Sequence, residues 1–395
     1  MNSQQTIGRL CVLVNSLAGG GAEKVALTLF EEYQKQGIEV VFLCLEKNDV
    51  HLINKSDVYY LSDHTGQDES GARKFFSLLS LAIKLKNFVK QEQITFVQSH
   101  IYRANYVNLL AWKLGSSHLV QITNHGIASR YHGEGLLGKV NLFLIQWLYP
   151  VAGQLVCPSA GMAKDLASLD VSVDVARVIG NPFAIDDILS QSKENMEAAE
   201  FVFQLDRQYL VSVGRLDRVK HPEQIIQVLH NLQNKHPKLE LLLLGTGREE
   251  KYLRMLVDRL SINGRVHFLG HVENPYKFVS RSDIFISASE FEGFSNVIVE
   301  ALISGTAVVS TDCPSGPREI LAPGSKVDLV LTPGEAEYAA YGVLVPVGDV
   351  PAMTLAIANM LNDEDIREKY ANHGLRRAMD FGKENIARRY LEYLS

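Results

Sequence analysis

The chain has 395 residues, 46% of them hydrophobic and 21% charged, a globular composition at a length that suits two domains better than one. A net charge of −6 excludes a dedicated nucleic-acid binder. Four widely spaced cysteines (Cys11, Cys44, Cys157, Cys313), without a Cys-x-x-Cys pair or Cys/His cluster, speak against zinc and for structural thiols in a reducing compartment. No charged-then-apolar leader opens the sequence, and the apolar stretch 140–152 is broken by Asn141, Gln146 and Pro150 and is too short to span a bilayer. A cytoplasmic protein is expected, or one held peripherally on the inner face of the cell membrane.

Residues 10–15 read as a buried strand. They are followed by the glycine loop Gly19-Gly20-Gly21 and a helix beginning near Glu23. Such a loop lets backbone approach a ligand closely; a simple tight turn explains it equally well. Strand-like runs at 39–45, 58–61, 95–99 and 119–123 then alternate with helical patterns at 72–91 and 104–114, which predicts a doubly wound parallel sheet. The strand 119–123 ends in Thr123-Asn124-His125-Gly126. A lone loop histidine is commonly a hydrogen-bonded surface residue, but this one leaves its strand on the side where open sheets bind ligands.

Residues 73–90 carry five bases (Arg73, Lys74, Lys84, Lys86, Lys90), no acid and a broad apolar face. Two readings stand: a core-packed helix with a wet basic face, or contact with an anionic membrane. Residues 1–185 hold 16 basic against 15 acidic residues, and the remainder 23 against 30. That contrast has the sign a membrane-facing domain needs.

The run 176–179 ends in Gly180-Asn181-Pro182-Phe183, punctuation that closes a first domain at 1–183. A second, 200–375, opens with the strand 209–213 and then Gly214-Arg215, with Lys220 five residues on and Pro222 suited to a first helical turn. Arg215 and Lys220 leave one strand end and can converge on a phosphate; a solvated basic turn is the alternative. A second glycine turn, Gly245-Thr246-Gly247, follows the strand 239–244, and a strand and loop occupy 266–272. After the apolar run 283–287 comes a polar loop, then a helix marked by Val297, Ile298, Ala301 and Leu302, with Ser295 as its expected N-cap. Glu292 lies in that loop and Glu300 in the second turn of the helix; they are either surface charges or a ligand-binding pair. Helical patterns at 350–361, 363–379 and 383–394 close the sequence, and Asp363-x-Asp365 reads as a helix cap and not a metal site.

The segment from Glu292 through Gly-Phe-Ser to Glu300 resembles the Glu-x7-Glu signature of family-4 retaining glycosyltransferases of the GT-B fold. Gly214-Arg215 with Lys220 is similar to that family's Gly-Arg-x4-Lys element. Asp312-Cys-Pro-Ser-Gly-Pro-Arg-Glu-Ile-Leu321 resembles a variant found in bacterial transferases that build lipid-linked oligosaccharides and surface polysaccharides.

The resemblance implies an α/β protein of two Rossmann-like domains facing across a central cleft. The first binds acceptor, the second binds a nucleotide sugar, and a last helix (376–395) crosses back to the first. It gives Glu292 the hydroxyls of the donor sugar and Glu300 the nucleotide ribose. Backbone of Phe294, Ser295, Asn296 and Val297 holds the sugar, Arg215 and Lys220 neutralise the diphosphate, and His125 serves the reaction centre. Gly20, Gly21, Gly214, Thr246 and Val272 are further donor-binding positions, the last in the loop that holds the nucleobase. Ser295 stands where many members have glycine. The implied chemistry is metal-independent retaining transfer of a hexose or N-acetylhexosamine from a nucleotide sugar, expected to be UDP-linked, to a glycan acceptor on a lipid. No cofactor is expected, the nucleotide sugar being a substrate. An epimerase or hydrolase of nucleotide sugars on the same fold, or a non-enzymatic sensor of them, is the alternative.

Overall fold

The computed structural model describes residues 8–18, 20–48, 57–63, 71–171, 174–197 and 200–394. It divides into two compact units, one made of Met1–Phe183 with Phe381–Ser395, the other of Ala184–Asp380.

The first unit runs β1 (Leu10–Val14), α1 (Gly21–Lys35), β2 (Val40–Cys44), β3 (Val58–Tyr60), α2 (Gly71–Gln91), β4 (Phe96–His100), α3 (Tyr102–Lys113), β5 (Leu119–Thr123), α4 (Gly135–Leu148), β6 (Gln154–Cys157), α5 (Ala160–Ser168) and β7 (Ala176–Val178). Every residue of β1 and β2 is buried, as continuous apolar runs must be when helices cover both faces of a sheet. The seven strands pair in parallel in the order β3-β2-β1-β4-β5-β6-β7. On α1, Val25, Ala26, Leu29, Phe30 and Tyr33 recur at helical spacing and pack on β1 and β2, with Phe30 edge-on to Phe42 at 5.3 Å.

The second unit continues with α6 (Ile185–Ser192), β8 (Gln208–Val213), α7 (Pro222–Leu232), β9 (Leu239–Leu244), α8 (Glu250–Arg259), β10 (Val266–Gly270), α9 (Tyr276–Val279) and β11 (Ile284–Ser287). After these come α10 (Asn296–Ile303), β12 (Ala307–Thr311), α11 (Pro317–Leu321), β13 (Glu337–Tyr338), β14 (Val343–Val345), α12 (Val350–Asn362) and α13 (Glu364–Ala378). Its sheet has the order β10-β9-β8-β11-β12-β14-β13, parallel except for the edge strand β13. The stretch after Phe183, which the expected domain bounds leave unassigned, belongs to the second unit. It forms α6, which is tied into this unit by Asn274 Nδ2 to the Gln191 carbonyl and Ser280 Oγ to the Ser192 carbonyl.

The chain then re-enters the first unit. Phe183 N–H donates to the Phe381 carbonyl (2.9 Å) and Lys383 N–H to the Phe183 carbonyl (3.0 Å), which delivers α14 (Lys383–Leu394). Ile386, Ala387, Tyr390 and Leu394 of α14 lie in the same buried cluster as β1 and α1. Each large side chain buried there contributes on the order of 1.5–3 kcal/mol.

In both sheets the strand order reverses once, between β1 and β4 in the first unit and between β8 and β11 in the second. At such a point the two connections leave in opposite directions and open a crevice at the carboxyl ends of the strands. Pro222 occupies the first turn of α7, and Asp363 caps α13 by accepting from Ile366 N–H at 3.0 Å. All four cysteines are buried free thiols. Among the described residues no helix is long and apolar enough to cross a membrane.

Candidate active site

In the second unit the crevice at the β8–β11 reversal is lined by Gly214, Arg215, Lys220, Ser287, Ser289 and Val297, among others. The backbone at its floor is knitted across strand ends, with Gly214 N–H donating to the Leu244 carbonyl and Leu216 N–H to the Thr246 carbonyl. Gly247 has to be glycine, since a Cβ there would lie 2.1 Å from the Leu216 carbonyl oxygen. Lys220 Nζ sits 2.5 Å from Glu292 Oε1, which also accepts from Ser289 Oγ at 2.7 Å. Ser289 is in turn fixed by its carbonyl, which accepts from Thr311 Oγ1 at 2.6 Å. Arg215 reaches 80% exposure, touching Asp217 at 3.2 Å, so its guanidinium is available to a ligand.

His221, next to Lys220, contacts Glu223 (2.6 Å) and Glu290 (3.3 Å). Burial works against its charge, but the two carboxylates prevail and raise its pKa above the ordinary value.

The loop between the two glutamates is held from below by the segment after β12. Ser315 Oγ donates to the Gly293 carbonyl at 2.6 Å, and Gly316 (φ 90°) packs so close that a Cβ would be 2.4 Å from the Phe294 carbonyl oxygen. Arg318, at 4% exposure, fixes that segment through Asp312 and Glu337. Phe294 is buried, Asn296 opens α10, and Val297 faces the crevice. Glu300 Oε1 accepts from Tyr276 Oη at 3.3 Å. Val272 lies in the loop after β10, half-buried.

Ser295 departs from expectation. It occupies the N-cap position of α10, but in the left-handed region (φ 70°, ψ 65°), and its buried hydroxyl makes no capping bond. A residue in that conformation cannot present its Oγ to the first-turn N–H groups as an extended N-cap does. Glycine adopts the same backbone without a steric penalty, which accounts for glycine at this position in many members.

In the first unit His125 follows β5 and stacks on His100 (5.1 Å between rings), with Nε2 2.8 Å from His100 Nδ1. Burial lowers the His125 pKa to about 4 and that of His100 well below its ordinary value, so the pair is neutral near pH 7. One ring must donate and the other accept, so the tautomers of His100 and His125 are coupled. Tyr102 Oη and Asn124 Nδ2 both donate to the Gly126 carbonyl, fixing the loop. Gly20 is the N-cap of α1 and Gly21 its first residue, so the helix starts two residues before Glu23; Gly19 lies outside the described residues.

Of the five bases in the basic segment, Lys84 and Lys86 donate to the carbonyls of Leu61 and Leu114 and help fix α2 in place, while Lys90 is exposed. The side chains of Arg73 and Lys74 lie outside the described residues. Residue spacing did not reveal His100, Ser289, Tyr276 or Arg318. His100 and Tyr276 act on partners that only the folded sheet brings near, whereas Ser289 and Arg318 hold Glu292 and Asp312, three and six residues away in the sequence. Among the described residues no group of three or more His, Cys, Asp or Glu side chains is placed to hold a metal ion.

Two family descriptions match: Glycosyl transferases group 1 over residues 194–377 and Glycosyltransferase Family 4 over residues 19–187. The chain is 30% identical over 388 residues to the N-acetylgalactosamine-N,N'-diacetylbacillosaminyl-diphospho-undecaprenol 4-alpha-N-acetylgalactosaminyltransferase of Campylobacter jejuni, covering 98% of this chain and 99% of that one. It is 27% identical to the lipopolysaccharide core biosynthesis glycosyltransferase LpsE of Rhizobium meliloti, over 61% of this chain and 64% of that one. The crystal structure of HepE from Anabaena in complex with UDP and glucose superposes with a TM-score of 0.74 at 18% identity, over 98% and 99% of the two chains. With its two doubly wound units and its match to the Campylobacter enzyme along nearly its whole length, the chain belongs to the family-4 glycosyltransferases and has the GT-B fold.

Proposed function

We propose that the protein transfers a hexose or N-acetylhexosamine from a UDP-sugar to a lipid-linked glycan in bacterial surface-glycan or glycoprotein-glycan assembly, with retention of anomeric configuration and without a metal. The observation that carries this is the Lys220–Glu292 contact at the crevice of the second sheet, with Arg215 exposed on the same crevice.

Breaking the sugar–diphosphate bond builds charge on the leaving oxygens. Lys220 and Arg215 supply two cations at the end of β8 to meet it, aided by the N-terminal end of α10. Glu292, anchored by Ser289 and Lys220, accepts from sugar hydroxyls, while Glu300 accepts from the ribose alongside Tyr276. With the departing phosphate taking the acceptor's proton on the same face, no side chain has to act as a covalent nucleophile. His125, neutral and oriented by His100, donates or accepts a hydrogen bond at the reaction centre without bringing a competing charge.

The relatives support the acceptor class, since the Campylobacter enzyme is named for a diphospho-undecaprenol-linked sugar acceptor. HepE was crystallised with UDP and glucose, which supports the donor. Peripheral contact with an anionic inner membrane face is part of the same proposal: α2 exposes Phe75, Phe76, Leu79 and Ile83, the first two beside basic residues in sequence.

The test is incubation with UDP-sugars alone and then with a bacterial lipid extract, with and without EDTA. Glycolipid formed only when both are present, with the α-linkage of the donor retained by NMR and yield unaffected by EDTA, is expected. Donor breakdown without acceptor would make it a hydrolase or epimerase, and binding without turnover a sensor.

A further inference from the structure

A second cavity, about 330 Å³, lies wholly in the first unit at the β1–β4 reversal of its sheet. That size is at the lower end for a small-molecule site. Its inner wall is polar, with Asn15, Tyr102 and Arg103. Tyr102 carries that wall to the His125 loop through its hydroxyl bond to the Gly126 carbonyl (2.8 Å). The outer wall is apolar, with Phe75 from α2 and Leu137 and Val140 from α4.

Phe75 and Leu137 are also the inner ends of two exposed apolar rows. On α2 the row continues through Phe76 (79% exposed), Leu79 and Ile83; on α4 it runs through Leu136 (79% exposed), Phe143 and Trp147. Monomeric surfaces seldom leave such rows uncovered.

Charge identifies the occupant. Helices α2, α3 and α4, of 21, 12 and 14 residues, contain no Asp or Glu, although the chain as a whole has more acids than bases. They carry Arg73, Lys74, Lys84, Lys86, Lys90, Arg103, Lys113 and Lys139. Arg103 is neutralised by Glu46, and Lys113 lies over the exposed Trp147 ring at 5.0 Å. An aromatic and aliphatic surface framed by bases, with a tryptophan at its edge, fits an anionic amphiphile.

We infer that this cavity holds the first units of the hydrocarbon chain of the lipid acceptor, a polyprenyl chain with an anionic head, drawn between α2 and α4. The head then lies at the Asn15–Tyr102 wall, against the His125 loop, and the rest of the chain runs out along the exposed rows. This rests on the lipid-linked acceptor proposed above and assigns a place in the chain to its tail.

Farnesyl phosphate, a soluble short-chain probe, tests it on the full-length protein. Trp112 and Trp147, the two tryptophans of the sequence, are both exposed, on α3 and α4, so intrinsic fluorescence and calorimetry report binding together. Saturable one-to-one binding is expected, not displaced by inorganic phosphate. Leu137→Asp, at a half-exposed site that leaves the fold intact, should weaken it about tenfold or more by placing a charge on the apolar wall. Val140→Phe, which fills the cavity, should do the same, whereas Leu205→Ser, at a fully exposed apolar residue of the second unit, should leave it unchanged. Non-saturable binding, displacement by phosphate alone, or wild-type affinity in both cavity variants would overturn the inference. UDP titrated into the same sample reads the donor proposal separately: loss of UDP binding overturns that reading, and loss of farnesyl phosphate binding overturns this one.

Discussion

Replacing Arg318 by Met removes the cation at the centre of a buried ion-paired cluster under the glutamate loop. Arg318 Nε contacts both Asp312 carboxylate oxygens at 3.0 Å, Nη2 contacts Asp312 at 2.5 Å and Glu337 at 2.9 Å, and Nη1 donates to Ser325 Oγ. The side chains of Arg318 and Asp312 are only 4% and 5% exposed, so water cannot replace the lost partner. Leaving a buried carboxylate uncompensated costs about 3–5 kcal/mol, against about 0–1 for a surface pair.

Burial already pushes the Asp312 pKa up while Arg318 pulls it down, with a net rise. In the variant the pull of the guanidinium is gone. Asp312 protonates more readily in the folded state, and the deficit shrinks as pH falls from 7 towards 5. Because Ser315 and Gly316 of the same segment hold Gly293 and Phe294, UDP affinity should fall with stability.

Urea unfolding at pH 7 and pH 5, with UDP titration at pH 7, measures all three effects. Asp312→Asn combined with Arg318→Met should recover most of the stability, since the deeply buried carboxylate is then neutral and Glu337, at 30% exposure, can be hydrated. A single variant within about 1 kcal/mol of the wild type, or a double variant no better than the single, would refute the reasoning.

Glu300→Gln should weaken UDP binding by about 1–3 kcal/mol by removing a charge-assisted hydrogen bond, and unchanged UDP affinity by calorimetry would remove the ribose assignment. His118 is buried between Ser116 and Asn108, and burial lowers its pKa to about 4. The folded pKa lies below the unfolded value of 6.5, so its contribution is present above pH 6.5 and is lost between pH 6.5 and 4. The loss is about 3 kcal/mol, with His125 adding the same sign, and the urea midpoint of a His118→Gln variant should depend less on pH across that window. In flotation with anionic vesicles the protein should rise with the lipid at low salt and less so at high salt, and Phe76→Ser with Leu79→Ser should reduce the salt-resistant remainder. Equal failure to float with neutral and anionic vesicles would return α2 to a packed helix with a wet basic face.

Much of this was legible in residue order because parallel α/β units write themselves locally. The fully apolar runs of β1 and β2, the glycine turns that follow strands, and Pro222 and Asp363 at helix starts are each decided by neighbours a few residues away. The strand–loop–helix setting of Glu292 and Glu300 is local in the same sense. What spacing did not reveal depends on sheet order. His100 and His125 are 25 residues apart and meet only because β4 and β5 are adjacent with their carboxyl ends level. Lys220 and Glu292, 72 residues apart, meet because β8 pairs with β11. Ser295 shows a third limit: serine is a good N-cap residue, and only the dihedral angles reveal that it stands in a glycine-type conformation.

The return of α14 to the first unit bears on how the protein is made. The side chains of Ile386, Tyr390 and Leu394 complete the core built on β1 and α1, yet nearly two hundred residues of the second unit are synthesised between Phe183 and Phe381. On the ribosome the second unit is therefore free to fold as a closed body while the first still lacks part of its interior. Until α14 emerges, the surfaces of α1 and β6 that it covers stay open to chaperones and to other chains. A truncation before Lys383 should thus behave as a folding defect of the amino-terminal half, visible as aggregation during expression, even though every residue of that half is present.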